Sequence, residues 1–366
     1  MFIVILVFIE LKFSYHTILK YSYLYYCNSF IYLKTKGSLT LNLEELAERI
    51  KNFEGVTRKK QIEGIVSIFE AVRPEYQNAI VDFGDDAAVI DIGGDDVILF
   101  AADGIWGRLL DASPWWAGYG AVVVNVNDIA AMGGKPLAMV DIASSNSEMA
   151  CKELMEGLAE GVRKFGVPVV GGHVHPDTEY NSISVAIIGI VKKDCVIRSD
   201  TARPGDFVIA AYDMDGKIGP NSPYSWDTTS FKAPAVIRQS YLVTQEIATR
   251  KLATAGKDIS NPGLIGTLGM LCETSRVGAA VDLEKVPKPD NVDFEQWLKV
   301  HPGTGYVFTA DPEKAEECIK VFEEAGLTAA IIGKIEAGSK LDMYDKTDRV
   351  TVFDFSRESI TGICSE

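Results

Sequence analysis

NVNDIAAMGGKPLAM, Asn125 to Met139, reads as the end of a helix, a tight turn and the start of a strand. Trp115 to Met132 is apolar along one side at helical spacing, and Gly133-Gly134 with Pro136 stops it. Downstream, Leu137 to Ser144 is a strand and Ser147 to Phe165 a helix. Val167 to Val170 reads as a buried strand ending at Gly171-Gly172, and Ser182 to Val191 alternates as a further strand. Upstream, Asp96 to Ala102 is a strand that ends at Asp103, and Ala79 to Val81 is a short strand running into Gly84-Asp85-Asp86. Leu41 to Phe53 and Thr57 to Val72 read as helices.

A second half opens after the turn sequence Arg203-Pro204-Gly205-Asp206. Phe207 to Tyr212 is a strand, and Gly216 to Thr229 is a Gly/Pro/Ser/Thr-rich loop. Helices follow around Pro234 to Ala255 and Gly263 to Thr274. Gly303 to Thr309 and Ala329 to Ile335 are strands flanking a helix from Pro312 to Ala325. The expected organisation is an atypical hydrophobic extension over 1–40, an N-terminal domain over 41–197 and a C-terminal domain over 198–366.

Composition narrows the function classes. Lys plus Arg number 36 and Asp plus Glu 51, a net charge of −15. Such a chain lacks the basic balance of a nucleic-acid binder and suits a site that collects divalent cations. None of the six cysteines forms a C-x-x-C pair, so neither a zinc site nor a dense disulfide framework is indicated, and a reducing cytosol is expected. The N-terminal apolar run, Met1 to Ile9, is broken by Glu10 and Lys12, too short to span a bilayer and without the flanks of a signal peptide. The segment up to residue 36 has no Gly, Ala, Pro, Arg or Asp; its composition predicts upstream sequence translated from a wrongly chosen start, with a real membrane-touching extension as the alternative. No membrane partner is expected. No P-loop, dinucleotide fingerprint or internal repeat is present.

Four polar clusters fall at strand ends or on a helix edge: Asp85-Asp86, Asp103, Asn125/Asn127/Asp128 and His173/His175/Asp177. Ligand sites of α/β folds gather at such positions. Magnesium prefers oxygen ligands and is usually shared with substrate phosphates, so converging carboxylates are what a nucleotide–metal site needs when no P-loop lysine exists. Arg58, Lys59 and Lys60 lie at a suitable distance upstream to reach phosphates.

GDDAAVI (Gly84 to Ile90), AADG (Ala101 to Gly104), NVNDIAAMGGKPLAM and VVGGH (Val169 to His173) resemble, in order and spacing, the aminoimidazole ribonucleotide (AIR) synthetase superfamily. Thiamine-monophosphate kinase, selenophosphate synthetase and the hydrogenase-maturation carbamoyl dehydratase belong to it. DISNPGLIGTLGMLCE (Asp258 to Glu273) and the segment His301 to Ile335 extend the likeness, which covers about Leu41 to Phe355 and is nearest the archaeal AIR synthase-related, methanogenesis marker-like branch. The resemblance implies a two-domain PurM-like α/β (α+β) fold. Its N-terminal mixed sheet would dimerise, with ATP near the dimer interface, and its C-terminal domain would be α/β. Carried over by position, Asp85, Asp86, Asp103 and Asp128 would hold Mg²⁺ against the ATP phosphates. Asn125 and Asn127 would sit beside them, and Gly133 and Gly134 would make a tight turn after the helix at the cofactor. Lys60 is the cofactor candidate among the three upstream basic residues, by its distance along the chain.

The chain also departs from the pattern. His173 stands where the kinase branch has Asp, and is expected to touch phosphates or metal-bound water as the catalytic residue. Asn261-Pro262 replaces the common Asp-Gly, and no Cys/Lys loop precedes Gly84. The loop Ser222 to Phe231, with Trp226 as a stacking face, is expected to line an acceptor pocket, and Cys364 is a candidate modification site near the C-terminus. The implied function is ATP- and Mg²⁺-dependent phosphorylation or activation of a small-molecule or protein-bound acceptor by a cytoplasmic homodimer. The alternative is a non-catalytic nucleotide-binding partner in a maturation complex.

Overall fold

The computed structural model describes residues 42–70, 72, 78–145 and 147–363. The N-terminal extension and Cys364 lie outside them. The described residues, from Asn42 onward, form one compact unit built on two large sheets.

The first half runs α1 (Leu43–Lys51), α2 (Glu54–Thr57), a 3-10 turn at Arg58–Lys60, α3 (Gln61–Glu70), β1 (Ala79–Val81), β2 (Ala88–Asp91), β3 (Asp96–Gly104), α4 (Gly107–Ala112), α5 (Pro114–Ala131), β4 (Lys135–Ser144), α6 (Glu148–Phe165), β5 (Val169–His175) and β6 (Ser182–Lys192). Its six strands are ordered β1-β2-β3-β6-β4-β5. β4 and β5 are parallel, and β6 is antiparallel to both β3 and β4, so β3, β4 and β5 all end on the same side of the sheet.

Helices α5 and α6 cover one face. Ser147 caps α6, its hydroxyl accepting from Ala150 N–H at 3.2 Å, and Gly166 ends it at φ +76°. The two helices approach so closely that a Cβ on Gly157 would collide with the Trp115 carbonyl, and one on Gly118 with the Leu154 carbonyl. The buried members of α5 and α6 pack with Val97, Leu99, Val185 and Ile187 from the sheet.

Among the described residues the opposite face is left uncovered. Alternation sends Ile98 and Phe100 of β3, Ile188 of β6, and Val140 and Ile142 of β4 outward. Their neighbours across the sheet, Phe100 beside Ile188 and Ile142 beside His173, lie on the same side. β5 differs from its sequence reading. It starts at Val169, continues through the glycine pair to His175, and is exposed rather than buried, because among the described residues it is the edge strand with β4 as its one neighbour. The apolar run gave the strand but not its place in the sheet.

The second half contains β7 (Phe207–Tyr212), β8 (Lys217–Ile218), β9 (Ser225–Asp227), α7 (Pro234–Thr249), β10 (Ala255–Asp258), α8 (Gly263–Ser275), β11 (Gly278–Asp282), α9 (Phe294–Leu298), β12 (His301–Pro302), β13 (Gly305–Ala310), α10 (Ala315–Glu324), β14 (Thr328–Glu336), β15 (Lys340–Tyr344) and β16 (Arg349–Asp354). Seven strands form the sheet β10-β13-β7-β14-β11-β15-β16, and β12-β9-β8 makes a small separate one. Apolar clusters lie on both faces of the large sheet, one with α8 and the other with α7 and α10. Helix α1, first in the chain, packs into the C-terminal half: Leu43, Leu46, Ala47 and Ile50 join the cluster that holds Leu341 and Phe353. Among the described residues no helix is long and apolar enough to cross a membrane.

Candidate active site

The turn after β1, the end of β3, the last part of α5 and the end of β10 meet at a pocket of about 470 Å³. Asp85, Asp86, Asp103 and Asp128 all line it, together with Asp82 and Asp258, against three basic residues, Arg58, Lys59 and Lys257.

The two aspartates of the Gly-Asp-Asp turn do different work. Asp85 is tied up by the backbone: Oδ1 accepts from Asp86 N–H at 2.9 Å and Oδ2 from Ser199 N–H at 2.8 Å. It anchors the turn to the segment joining the two halves, and burial pushes its carboxyl up to about 6 while Lys257 pulls the other way. Asp86 Oδ1 lies 2.5 Å from Lys257 Nζ, and its Oδ2 accepts from Asp258 N–H at 3.2 Å. Burial works against charge on Lys257, but Asp86, Asp85 and Asp258 overcome it and hold the ammonium firmly protonated.

Asp128 comes off α5 into this group. Burial, then repulsion from Asp258, Asp103 and Asp86, lifts its carboxyl well above the ordinary value. Asp258 is pushed up to about 8 by burial and by Asp86. Asp103 ends β3 with Oδ1 accepting from Gly104 N–H at 2.7 Å, and burial raises it too. Burial drives Lys59 the opposite way, down. Burial raises Asp85, Asp103, Asp128 and Asp258, neighbouring carboxylates add to it at Asp85, Asp128 and Asp258, and carboxylates so placed favour a bound cation.

Among the described residues no three acidic, imidazole or thiol side chains are already drawn together as a metal centre. The donor chemistry nonetheless fits a hard divalent ion. Asp86, Asp103, Asp128 and Asp258 offer only oxygen, and a cation would relieve the repulsion that raises Asp128 and Asp258.

The remaining sequence candidates lie elsewhere. Lys60 is exposed and does not line the pocket; its neighbours Arg58 and Lys59 do. Asn125 is fully buried in α5, its Nδ2 donating to Ala121 O at 2.8 Å, and Asn127 donates to Gly303 O at 3.1 Å. Both leave a buried Oδ1 without a partner and neither lines the pocket. Gly133, at φ +74°, and Gly134 form the turn between α5 and β4, where Cβ atoms would collide with Ala248 and Leu99. Trp226 is 2% exposed with Nε1 donating to Asp213 O at 3.0 Å, so it offers no stacking face, and Asp227 accepts from Thr229 and Ser230 within its own loop. That loop is held by Lys164, whose buried ammonium donates to the carbonyls of Thr229, Ser230 and Lys232.

His173 is exposed on β5, with its ring 4.5 Å from that of His175. Gly172, Asp141, Val185 and Asp103 line up across β5, β4, β6 and β3. Three strand spacings therefore put His173 roughly 14 Å from Asp103 within one chain, on the open face.

Lys257 and Asp258 were not singled out from sequence. Asp258 opens the segment DISNPG, so its strand-end position was available; Lys257 carried no local signal.

Residues 84–191 match the N-terminal domain of AIR synthase related protein, and residues 227–346 match its C-terminal domain. An uncharacterised protein of Methanocaldococcus jannaschii is 51% identical over 323 residues, spanning 88% of this chain and 100% of that protein. Among solved structures, Thermotoga maritima PurL complexed with ATP aligns with a TM-score of 0.67 at 17% identity, over 86% of this chain and 54% of that one, so this chain spans about half its length. AaThiL complexed with AMPPCP and TMP aligns with a TM-score of 0.58 at 20% identity, over 86% and 100% of the two chains. At these identities the two structures speak for the fold, which is PurM-like. With both domains matched and a full-length relative at 51% identity, the chain belongs to the AIR synthase related protein family, within a superfamily that has ATP-using members.

Proposed function

We propose that this chain binds Mg²⁺ and ATP in the carboxylate pocket and uses them to phosphorylate or otherwise activate a small-molecule or protein-bound acceptor. The observation that carries this reading is the meeting of Asp86, Asp103, Asp128 and Asp258 around one pocket, where burial, with repulsion from neighbouring carboxylates, raises Asp128 and Asp258. Bound Mg²⁺ would neutralise charge on the transferred group and the leaving phosphates. The chain's own part is positional. Asp86, Asp103, Asp128 and Asp258 hold the cation. Lys257 limits how much negative charge they carry, and Lys59, whose ammonium is partly desolvated, faces phosphate oxygens from the pocket wall. Fold alone does not select the reaction, since one scaffold hosts many chemistries.

The working form in this reading is a homodimer. Phe100, Val140, Ile142 and Ile188 make an apolar open sheet face of the kind that a second copy covers. His173 sits on that face, so a partner copy is its route to a pocket.

The test is a thermal melt with Mg²⁺ and the non-hydrolysable analogue AMPPCP, followed by assay of ADP or AMP release against a panel of acceptors. A ligand at about 100 times its dissociation constant adds about 2.7 kcal/mol. Melts that ignore Mg²⁺–AMPPCP in the parent, or an unchanged response in Asp128→Asn, would remove the reading.

A further inference from the structure

A second recess, of about 410 Å³, opens beside the carboxylate pocket and shares Arg58, Gly104 and Trp106 with it. Glu54 and Arg108 complete its polar lining. Its chemistry is opposite to that of its neighbour. The Arg58 guanidinium carbon lies 4.3 Å from the centroid of the Trp106 ring and that of Arg108 lies 5.3 Å from it. Arg108 is paired, its Nη2 standing 2.6 Å from Glu54 Oε1. Arg58 has no hydrogen bond or ion pair to a carboxylate among the described residues; Asp103 and Glu54 act on it only through space. The Trp106 Nε1–H is buried and also lacks a partner.

We infer that this recess is an oxyanion subsite, where the acceptor's carboxylate or phosphate group is held while the carboxylate pocket holds the nucleotide. Arg58 presents a planar fork of donors suited to two-point contact with such a group. Stacking on Trp106 fixes the plane of that fork and lowers the entropy lost on binding. Arg108, oriented by Glu54, adds positive field to the same recess. The two recesses meet at Gly104 and Trp106, so an acceptor held by its charged end on Arg58 has the rest of it directed to that shared boundary.

The word acceptor rests on the Mg²⁺–ATP reading above; the oxyanion subsite rests on Arg58, Trp106 and Arg108 alone. The experiment is calorimetric titration of the full chain with inorganic phosphate and, separately, acetate, each with and without saturating Mg²⁺–AMPPCP. The parent should bind at least one probe in both conditions. Arg58→Gln should weaken that binding by about tenfold or more, with Arg58→Lys between the two, since a point charge lacks the fork. Arg108→Gln, which lines the recess and not the carboxylate pocket, should weaken the anion as well while leaving AMPPCP affinity within about twofold of the parent. Trp106→Leu serves as a second probe and should weaken the anion severalfold, covering the case in which an Arg58 variant misfolds. No anion binding by the parent, equal binding by parent and Arg58→Gln, or displacement of the anion by the nucleotide would each overturn the subsite. If Mg²⁺–AMPPCP fails to bind at all while the anion still depends on Arg58, the nucleotide reading falls and the subsite stands.

Discussion

Lys257 Nζ stands 2.5 Å from Asp86 Oδ1 and 4.0 Å from Asp85 Oδ1, so one buried ammonium from β10 neutralises the acidic turn after β1. This contact links the two halves of the chain. The backbone N–H of Asp258 reinforces it by donating to the other oxygen of Asp86. Lys257 therefore has two effects: it makes the carboxylate group tolerable in the folded protein, and it leaves that group still short of positive charge.

Replacing Lys257 with Met should destabilise the metal-free protein strongly. Removing one partner of a buried pair leaves the other charge uncompensated, a loss of about 3–5 kcal/mol. Urea unfolding in EDTA measures it. Mg²⁺ should recover part of the loss, as should a second change, Asp86→Asn, which removes the stranded charge. A Lys257→Met midpoint equal to the parent's would mean that the pair contributes nothing to the fold.

The raised carboxylates predict a pH dependence with a definite sign. The folded pKa of Asp258, about 8, lies above its ordinary value of 3.8, so between these two values the folded protein holds a proton that the unfolded chain has released. The penalty is absent below the lower value, grows through the window and is complete above the upper one. Asp128 moves in the same direction. Metal-free stability should thus fall as pH rises through the window, on the order of 1 kcal/mol per pH unit per group. Asp258→Asn should flatten the slope relative to the parent. Mg²⁺ competes with the same protons, so its affinity should climb across the same range. A slope in EDTA that is identical in parent and Asp258→Asn would show that Asp258 does not titrate there.

The carboxylates of the candidate pocket were legible in the sequence where their signals were local. Asp85, Asp86 and Asp103 sit at strand ends beside glycine, and Asp128 lies on a helix broken by Gly133-Gly134, so each was visible within a few residues. What escaped depends on the packing of distant segments. Lys257 is a buried charge in a short strand, and its purpose exists only once β10 lies against the turn after β1. The same limit accounts for β5, whose apolar residues indicated a strand but not an edge, and for Trp226, whose indole faces Asp213 O rather than a ligand. The glycine pair at 171–172 read as a strand end for local reasons, although the ladder to β4 carries the strand through it.

Two helical glycines should respond in opposite directions to alanine. A methyl on Gly157 meets the Trp115 carbonyl across the α5–α6 contact, and backbone there has little room to yield. Gly157→Ala should cost about 1–3 kcal/mol, the range for overpacking. Gly64 lies within α3 with nothing near its Cβ position, so Gly64→Ala should gain about 0.5–1 kcal/mol of helix propensity. Thermal melts of the two variants decide it; a tolerated Gly157→Ala would mean that α5 and α6 can separate at small cost.

The position of His173 predicts catalysis across two chains. Its ring lies on the open face beside Ile142, roughly three strand spacings from Asp103 of its own chain, too far for contact with a group held there. If the face is shared by two copies, His173 of one copy serves the pocket of the other. Ile142→Asp should then turn the dimer into monomers by size-exclusion chromatography and remove turnover while each chain stays folded. A mixing experiment separates action across chains from action within one. His173→Ala leaves every pocket without its imidazole, and Asp128→Asn leaves every pocket without its carboxylate, so each alone should be inactive. When equal amounts are mixed and allowed to exchange, half of the dimers carry one chain of each kind. One of the two pockets in such a dimer then combines Asp128 of the first chain with His173 of the second. Turnover should recover to about one quarter of the parent's. Recovery to zero would confine His173 to its own chain. Full activity of His173→Ala alone would show that no pocket needs the imidazole.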